Sequence, residues 1–218
     1  MINYLFTNPL LFIVFIVSLL IAIAVHEFSH AYVADYLGDP TPRLQGRLKL
    51  NPLVHIDTMG MLFLLLFGFG WGKPVQFDPY NLKNPRVDAG LISIAGPLSN
   101  FILALALSII LRLLIFFELN FLLTIGIFIF LPMIQMNLVL GVFNLLPISP
   151  LDGFKIVGAV LPEERSREWY SLERWGMLFL LLLIIPIAGS SMLSGILQPA
   201  VTFLLRLLVP INLSGGII

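Results

Sequence analysis

The chain has 218 residues, 59% hydrophobic and 11% charged, with twelve basic and twelve acidic side chains and a formal net charge of +0. A soluble globule carries about 25% charged residues to cover its surface, so this composition excludes a water-soluble enzyme and a disordered protein and points to a lipid bilayer. The balanced charge offers no basic excess for nucleic acid, and the absence of cysteine removes disulfides, thiolate metal sites and thiol catalysis.

A bilayer crossing needs about 20 apolar residues. Pro9 to Ala24 is apolar apart from Ser18, and the helical pattern continues to about Leu37, where Gly38, Asp39, Pro40 and Pro42 break it. Near the end of this first crossing His26-Glu27-Phe28-Ser29-His30 spells H-E-x-x-H. Residues four apart share a helix face, so both imidazoles can reach one metal, and Glu27 is placed to take a proton from a water there. With three histidines in the chain, chance would produce this pattern in roughly 0.001 of such sequences. Ionisable groups at membrane depth are costly and are retained for function.

Between the first and second crossings, residues 44–50 alternate apolar and polar, the period of a strand. Met61 to Phe69 is apolar but too short to span; it reads as a strand or a re-entrant segment, with Lys73–Phe77 as a possible companion. Such a sheet edge would accept an unwound substrate segment by strand addition. His55 falls in this connection, among charged residues, and reads as a non-ligand. Ala89–Phe117 and Phe121–Leu146 form the second and third crossings, and Trp175–Ile187 and Met192–Leu208 two less regular ones. The expected fold is an all-α polytopic membrane protein, a single domain over 1–218. It has about five transmembrane helices, a small cytoplasmic-side β or re-entrant element, a catalytic core over about 9–160 and C-terminal helices over about 165–210.

Charge sets the orientation. Arg43, Arg47, Lys49, Lys73, Lys83, Arg86, Lys155, Arg165, Arg167, Arg174 and Arg206 fall on one face of this scheme and Arg112 alone on the other. By the positive-inside rule the N-terminus is external and the site lies toward the cytoplasm.

A hydrolytic zinc site wants a third protein ligand and an open position for water. His26 lies deep in its helix, and the third crossing returns to that level at Asn144-Leu145-Leu146-Pro147-Ile148-Ser149-Pro150-Leu151-Asp152-Gly153, where two prolines unwind the chain. Asp152 is the expected third ligand, with helix capping as its competing role. Asp35 and Asp57 are weaker rivals.

Together, H-E-x-x-H in a membrane helix and the downstream N-x-x-P-x-x-P-L-D-G resemble the site-2 protease family of intramembrane zinc metalloproteases, peptidase family M50. Gly96-Pro97-Leu98-Ser99-Asn100 is similar to the family's G-x-x-x-N signature, and the stretches 46–57 and 70–75 resemble a short subgroup without PDZ or CBS domain. The resemblance implies one zinc ion per chain on His26, His30 and Asp152, with Glu27 activating water. It further implies that Asn144 positions the scissile peptide or the oxyanion and that Asn100 faces the core; for both asparagines, satisfying a neighbouring backbone group is the alternative. The implied reaction is hydrolysis of a peptide bond in or next to a transmembrane segment of a single-span membrane protein or peptide substrate. Two other enzyme and non-enzyme readings stand beside it. One is a Ste24-like zinc protease with Glu163, Glu164, Glu168 or Glu173 as third ligand. The other is a non-proteolytic zinc-binding membrane scaffold or transporter.

Overall fold

The computed structural model describes residues 6–67, 70–187 and 190–209. Helix α1 (Pro9–Tyr36) starts with Pro9 in its first turn and the Asn8 side chain accepting from Leu11 N–H at 3.1 Å, which satisfies an amide the helix itself leaves open. It ends at Gly38, whose φ of 109° suits a residue without Cβ, while Asp39 N–H closes back on the Ala34 carbonyl at 3.0 Å. The short α2 (Thr41–Leu44) and α3 (Thr58–Phe67) follow, then α4 (Pro85–Phe116) and α5 (Asn120–Asn144). Beyond them come α6 (Asp152–Val160), α7 (Glu163–Ser171), α8 (Glu173–Ile184), the two-residue strands β1 (Pro186–Ile187) and β2 (Ser190–Ser191), and α9 (Met192–Leu208).

Three helices, α1, α4 and α5, are long and apolar enough to cross a membrane. They form the bundle that carries the site. Ala104, Leu107 and Leu111 of α4 interlock with Leu131, Ile134 and Leu138 of α5, and Val201 of α9 closes that core. Nearer the site, Ala34, Leu82 and Ile92 form a second cluster packed by Val33, Leu37 and Phe77.

Two expectations change. The sheet between the first two spans is not formed: residues 58–67 are helical, Leu44 ends a helical turn, and a single antiparallel bridge, Ile56 to Gly72, stands among the described residues of this connection. The run Met61-Leu62-Phe63-Leu64-Leu65-Leu66-Phe67 has no β-branched residue, and Leu and Met are strong helix formers. The last two residues of the Met61–Phe69 run, 68 and 69, lie outside the described residues.

The two crossings expected in the C-terminal third are not confirmed, since neither α8 nor α9 is among the helices long and apolar enough to span. Gly176 in α8 packs directly on Ser149, at the level of the Asp152 turn. The far end of α9 meets α4 at Arg112, whose guanidinium donates to the carbonyls of Leu207 and Leu208 at 3.2 and 2.8 Å. Arg112 lies sixteen residues beyond Gly96, about 24 Å along the helix. The end of α9, with Arg206, therefore lies at the Arg112 end of α4 and not at the site end. The split of basic residues becomes ten on the site side against two.

Candidate metal centre

The site assembles where α1, α4 and the start of α6 meet. Two glycines allow it. A Cβ at Gly96 would fall on the His30 ring and within 2.6 Å of His26 Cε1, so the α4 backbone lies flat against both imidazoles. A Cβ at Gly153 would collide with the carbonyl oxygens of Leu145 and Leu146. Only a glycine lets the first turn of α6 sit on the end of α5, which turns Asp152 back toward α1. Helix α6 is then held from outside by α7. Trp169 Nε1–H donates to the Phe154 carbonyl at 2.8 Å, its ring stacks on Phe154, and Ser166 Oγ donates to the Gly158 carbonyl at 2.8 Å.

His26 and His30 are 4% and 7% exposed. Their Nε2 atoms are 3.0 Å apart, and Asp152 Oδ2 lies 3.1 Å from one and 3.2 Å from the other. Each outer ring nitrogen is engaged by an acceptor: His26 Nδ1–H donates to Asn100 Oδ1 and His30 Nδ1–H to the Ile92 carbonyl, both at 2.7 Å. In the neutral rings the two Nε2 atoms then present lone pairs. Asp152 Oδ2 is buried and receives no hydrogen bond. Three electron-pair donors thus converge on one point, an arrangement that is repulsive unless a cation joins them. Tetrahedral zinc with N and O ligands at about 2.0–2.1 Å would set these atoms about 3.3 Å apart, so the donor set fits that ion. Among the described residues, His26, His30 and Asp152 form the group of side chains able to hold a metal.

Glu27 projects to another side of α1. Its Oε2 accepts from Val75 N–H at 3.0 Å, and Gly72 lies against Ile23, where a Cβ would come within 2.9 Å of Ile23 Cγ2. Residues 72–75 are in turn anchored from behind: Lys73 N–H donates to the His55 carbonyl at 2.7 Å, and the buried Arg47 guanidinium donates to the carbonyls of Val54 and Lys73. The connection between the first two spans therefore wraps α1 and meets Glu27 with its backbone. His55 is fully buried with Nε2–H donating to the Lys49 carbonyl at 2.8 Å, and it stands outside the group around His26.

Asn144 turns back on its own helix, donating from Nδ2 to the Leu140 carbonyl at 3.0 Å. The rival carboxylates have other partners or face outward. Asp35 pairs with Arg43, Asp57 accepts from Gly60 N–H at 2.8 Å, and Glu163, Glu164, Glu168 and Glu173 are all exposed. Composition and spacing alone miss Asn137, fully buried on α5, whose Oδ1 accepts from Asn100 Nδ2 at 2.9 Å.

Fold and site together define a membrane-embedded hydrolase of the metallopeptidase class. The model of peptidase family M50 matches residues 14–126 and 120–185. A Bacillus subtilis protein named "Putative zinc metalloprotease YwhC" is 37% identical over 195 residues, covering 88% of this chain and 89% of that protein. "Putative zinc metalloprotease Rip2" of Mycobacterium tuberculosis is 33% identical over 180 residues, with 80% and 67% covered. "Putative zinc metalloprotease MJ0611" of Methanocaldococcus jannaschii is 32% identical over 160 residues, with 72% and 77% covered. No solved structure matches the chain. The chain belongs to peptidase family M50.

Proposed function

We propose that this protein is a zinc-dependent endopeptidase that cleaves a peptide bond in or next to a transmembrane segment of a single-span membrane protein or peptide. The observation that carries the reading is the convergence of His26 Nε2, His30 Nε2 and Asp152 Oδ2, mutually 3.0–3.2 Å apart, inside a bundle of spanning helices. These three side chains would hold one zinc ion per chain. Bound there, zinc supplies a Lewis acid that polarises a carbonyl and makes water acidic enough to give up a proton near neutrality.

The remaining work falls to the protein. Glu27 takes the proton from water and passes it to the leaving amine. The Val75 amide fixes the rotamer of its carboxylate. Asn144 uses one amide hydrogen on Leu140 and offers the other to the substrate carbonyl. A substrate helix must unwind locally, because its peptide bonds are otherwise hydrogen-bonded and buried. The ten basic residues on the site side support a cytoplasmic site and an external N-terminus. Three complete spans and one interrupted C-terminal passage describe the topology.

The test compares wild type with Glu27→Gln against a panel of single-span substrates. Cleavage should fall by about 10²–10⁴ while zinc content stays at one per chain. Zinc retained with no Glu27-dependent cleavage would identify a metal-binding scaffold, and metal-independent ion flux a transporter.

A further inference from the structure

The ligand His30 takes its orientation from a main-chain acceptor, the Ile92 carbonyl, which cannot exchange acceptor for donor. His26 takes its orientation from a side-chain amide, Asn100. An amide can rotate and present Nδ2 instead of Oδ1. Were Asn100 reversed, His26 would accept at Nδ1 and carry its proton on Nε2. That proton would point at His30 Nε2, 3.0 Å away, and occupy the space the metal needs. The site therefore contains a choice between two tautomers, one able to bind metal and one closed by a histidine–histidine hydrogen bond.

We infer that Asn137 secures this choice, adding a second acceptor for Asn100 Nδ2 beside the Ala22 carbonyl. Asn100 Nδ2 donates to two acceptors, the Ala22 carbonyl at 3.0 Å and Asn137 Oδ1 at 2.9 Å. Asn137 is held in turn by its own Nδ2, which donates to the Met133 carbonyl at 2.8 Å. Reversing Asn137 would set its nitrogen against the nitrogen of Asn100 and its oxygen against the Met133 oxygen. Both asparagines are 0% exposed, so water cannot relieve either mismatch and each unmade bond carries its full desolvation cost. The column Met133–Asn137–Asn100–His26 is thus polar in one direction, from a helix carbonyl on α5 to the metal-facing lone pair on α1. Asn137 is a positioning residue that acts through Asn100, and it makes α5 a contributor to the site although α5 supplies no ligand.

This inference rests on the zinc reading, and the experiment separates the two. Zinc affinity is measured by chelator competition on the purified full chain for wild type, Asn137→Leu, Asn137→Asp, Asn100→Asp and the double variant Asn100→Asp/Asn137→Leu. Asn137→Leu should weaken zinc by about tenfold, the size of effect that second-sphere partners of ligating histidines exert. Asn137→Asp, as the neutral acid, keeps the acceptor toward Asn100 and donates its O–H to the Met133 carbonyl, and should restore affinity to within about threefold of wild type. In the Asn100→Asp background both side-chain oxygens are acceptors, so no reversal is possible and Asn137→Leu should cost nothing. A residue that merely fills space would cost the same in both backgrounds. Equal losses in the two backgrounds, or Asn137→Leu binding zinc as wild type does, overturns the inference and leaves the zinc reading standing. Wild type that binds no zinc overturns both. Should the Asn100→Asp chains fail to fold, the Asn137→Leu and Asn137→Asp pair still decides it: loss without rescue counts against the inference.

Discussion

At the scale of single residues, the site depends on what is missing as much as on what is present. The flat approach of α4 to the imidazoles exists because position 96 has no Cβ. Rings seated between packed helices cannot swing aside for a methyl, so Gly96→Ala must push α4 away from α1. Zinc affinity is expected to fall by about tenfold or more, with a loss of stability of about 1–3 kcal/mol for overpacking. Chelator competition and denaturant unfolding in detergent measure the two. The residues that supply chemistry were open to sequence reasoning to different degrees. The histidine pair and Glu27 are local, within five positions of one helix, and their meaning follows from helical geometry. Asp152 was reachable because two prolines announce that the third span ends and turns back. Asn137 was not, because its partner is on another helix and a polar residue in an apolar run carries no label for the face it takes. The Ile92 carbonyl and the Val75 amide belong to the main chain, which every residue has.

At the scale of elements, the connection between the first two spans is held by a buried carboxylate. Asp39 accepts from Thr41 N–H and Thr41 Oγ1, from Asn81 Nδ2 and from Asp78 N–H, at 3.0, 2.6, 2.8 and 2.7 Å. Burial acts to raise its pKa, and these hydrogen bonds outweigh burial, first those of Thr41 and Asn81, so that the carboxyl is held below the usual range. A group whose folded pKa is depressed contributes stability above its unfolded pKa, about 3.9, and loses it as pH falls through the folded value. Stability should therefore decline below about pH 4, and Asp39→Asn should flatten that decline. The variant should also lose about 1–3 kcal/mol at neutral pH, because its Nδ2 would face an amide donor. Urea unfolding between acid and neutral pH reads both effects. In the same connection, sequence pattern misjudged an element. An apolar run of seven to nine residues fits either a buried strand or a short helix by length alone, and alternation in residues 44–50 suggested strands nearby. Side-chain type decided otherwise, since Leu and Met, unbranched at Cβ, favour helix. The three long spans, by contrast, matched their expected limits to within four residues at either end, because twenty or more apolar residues admit one solution in a bilayer.

At the scale of the whole molecule, the lack of native cysteine makes the orientation directly testable. With single cysteines at Lys83→Cys, Arg165→Cys and Glu118→Cys, a membrane-impermeant maleimide added to intact cells should label the last alone. Labelling at 83 and 165 with protection at 118 would reverse the assignment. What sequence could not supply here was the path of the final third, where Pro199 and short helices interrupt the apolar pattern. The level of its end had to come from the contact between Arg112 and the last carbonyls of α9.

The order in which the proposed zinc-binding set leaves the ribosome follows from where it lies in the chain. His26 and His30 are made early, while Asp152 comes about 120 residues later, after two more helices have been threaded into the bilayer. A nascent chain carries the imidazole pair for about 120 residues of synthesis without the carboxylate that closes it. Metal binding by this set is thereby deferred until Asp152 has been made, and a product that stops short of residue 152 lacks the carboxylate that completes it.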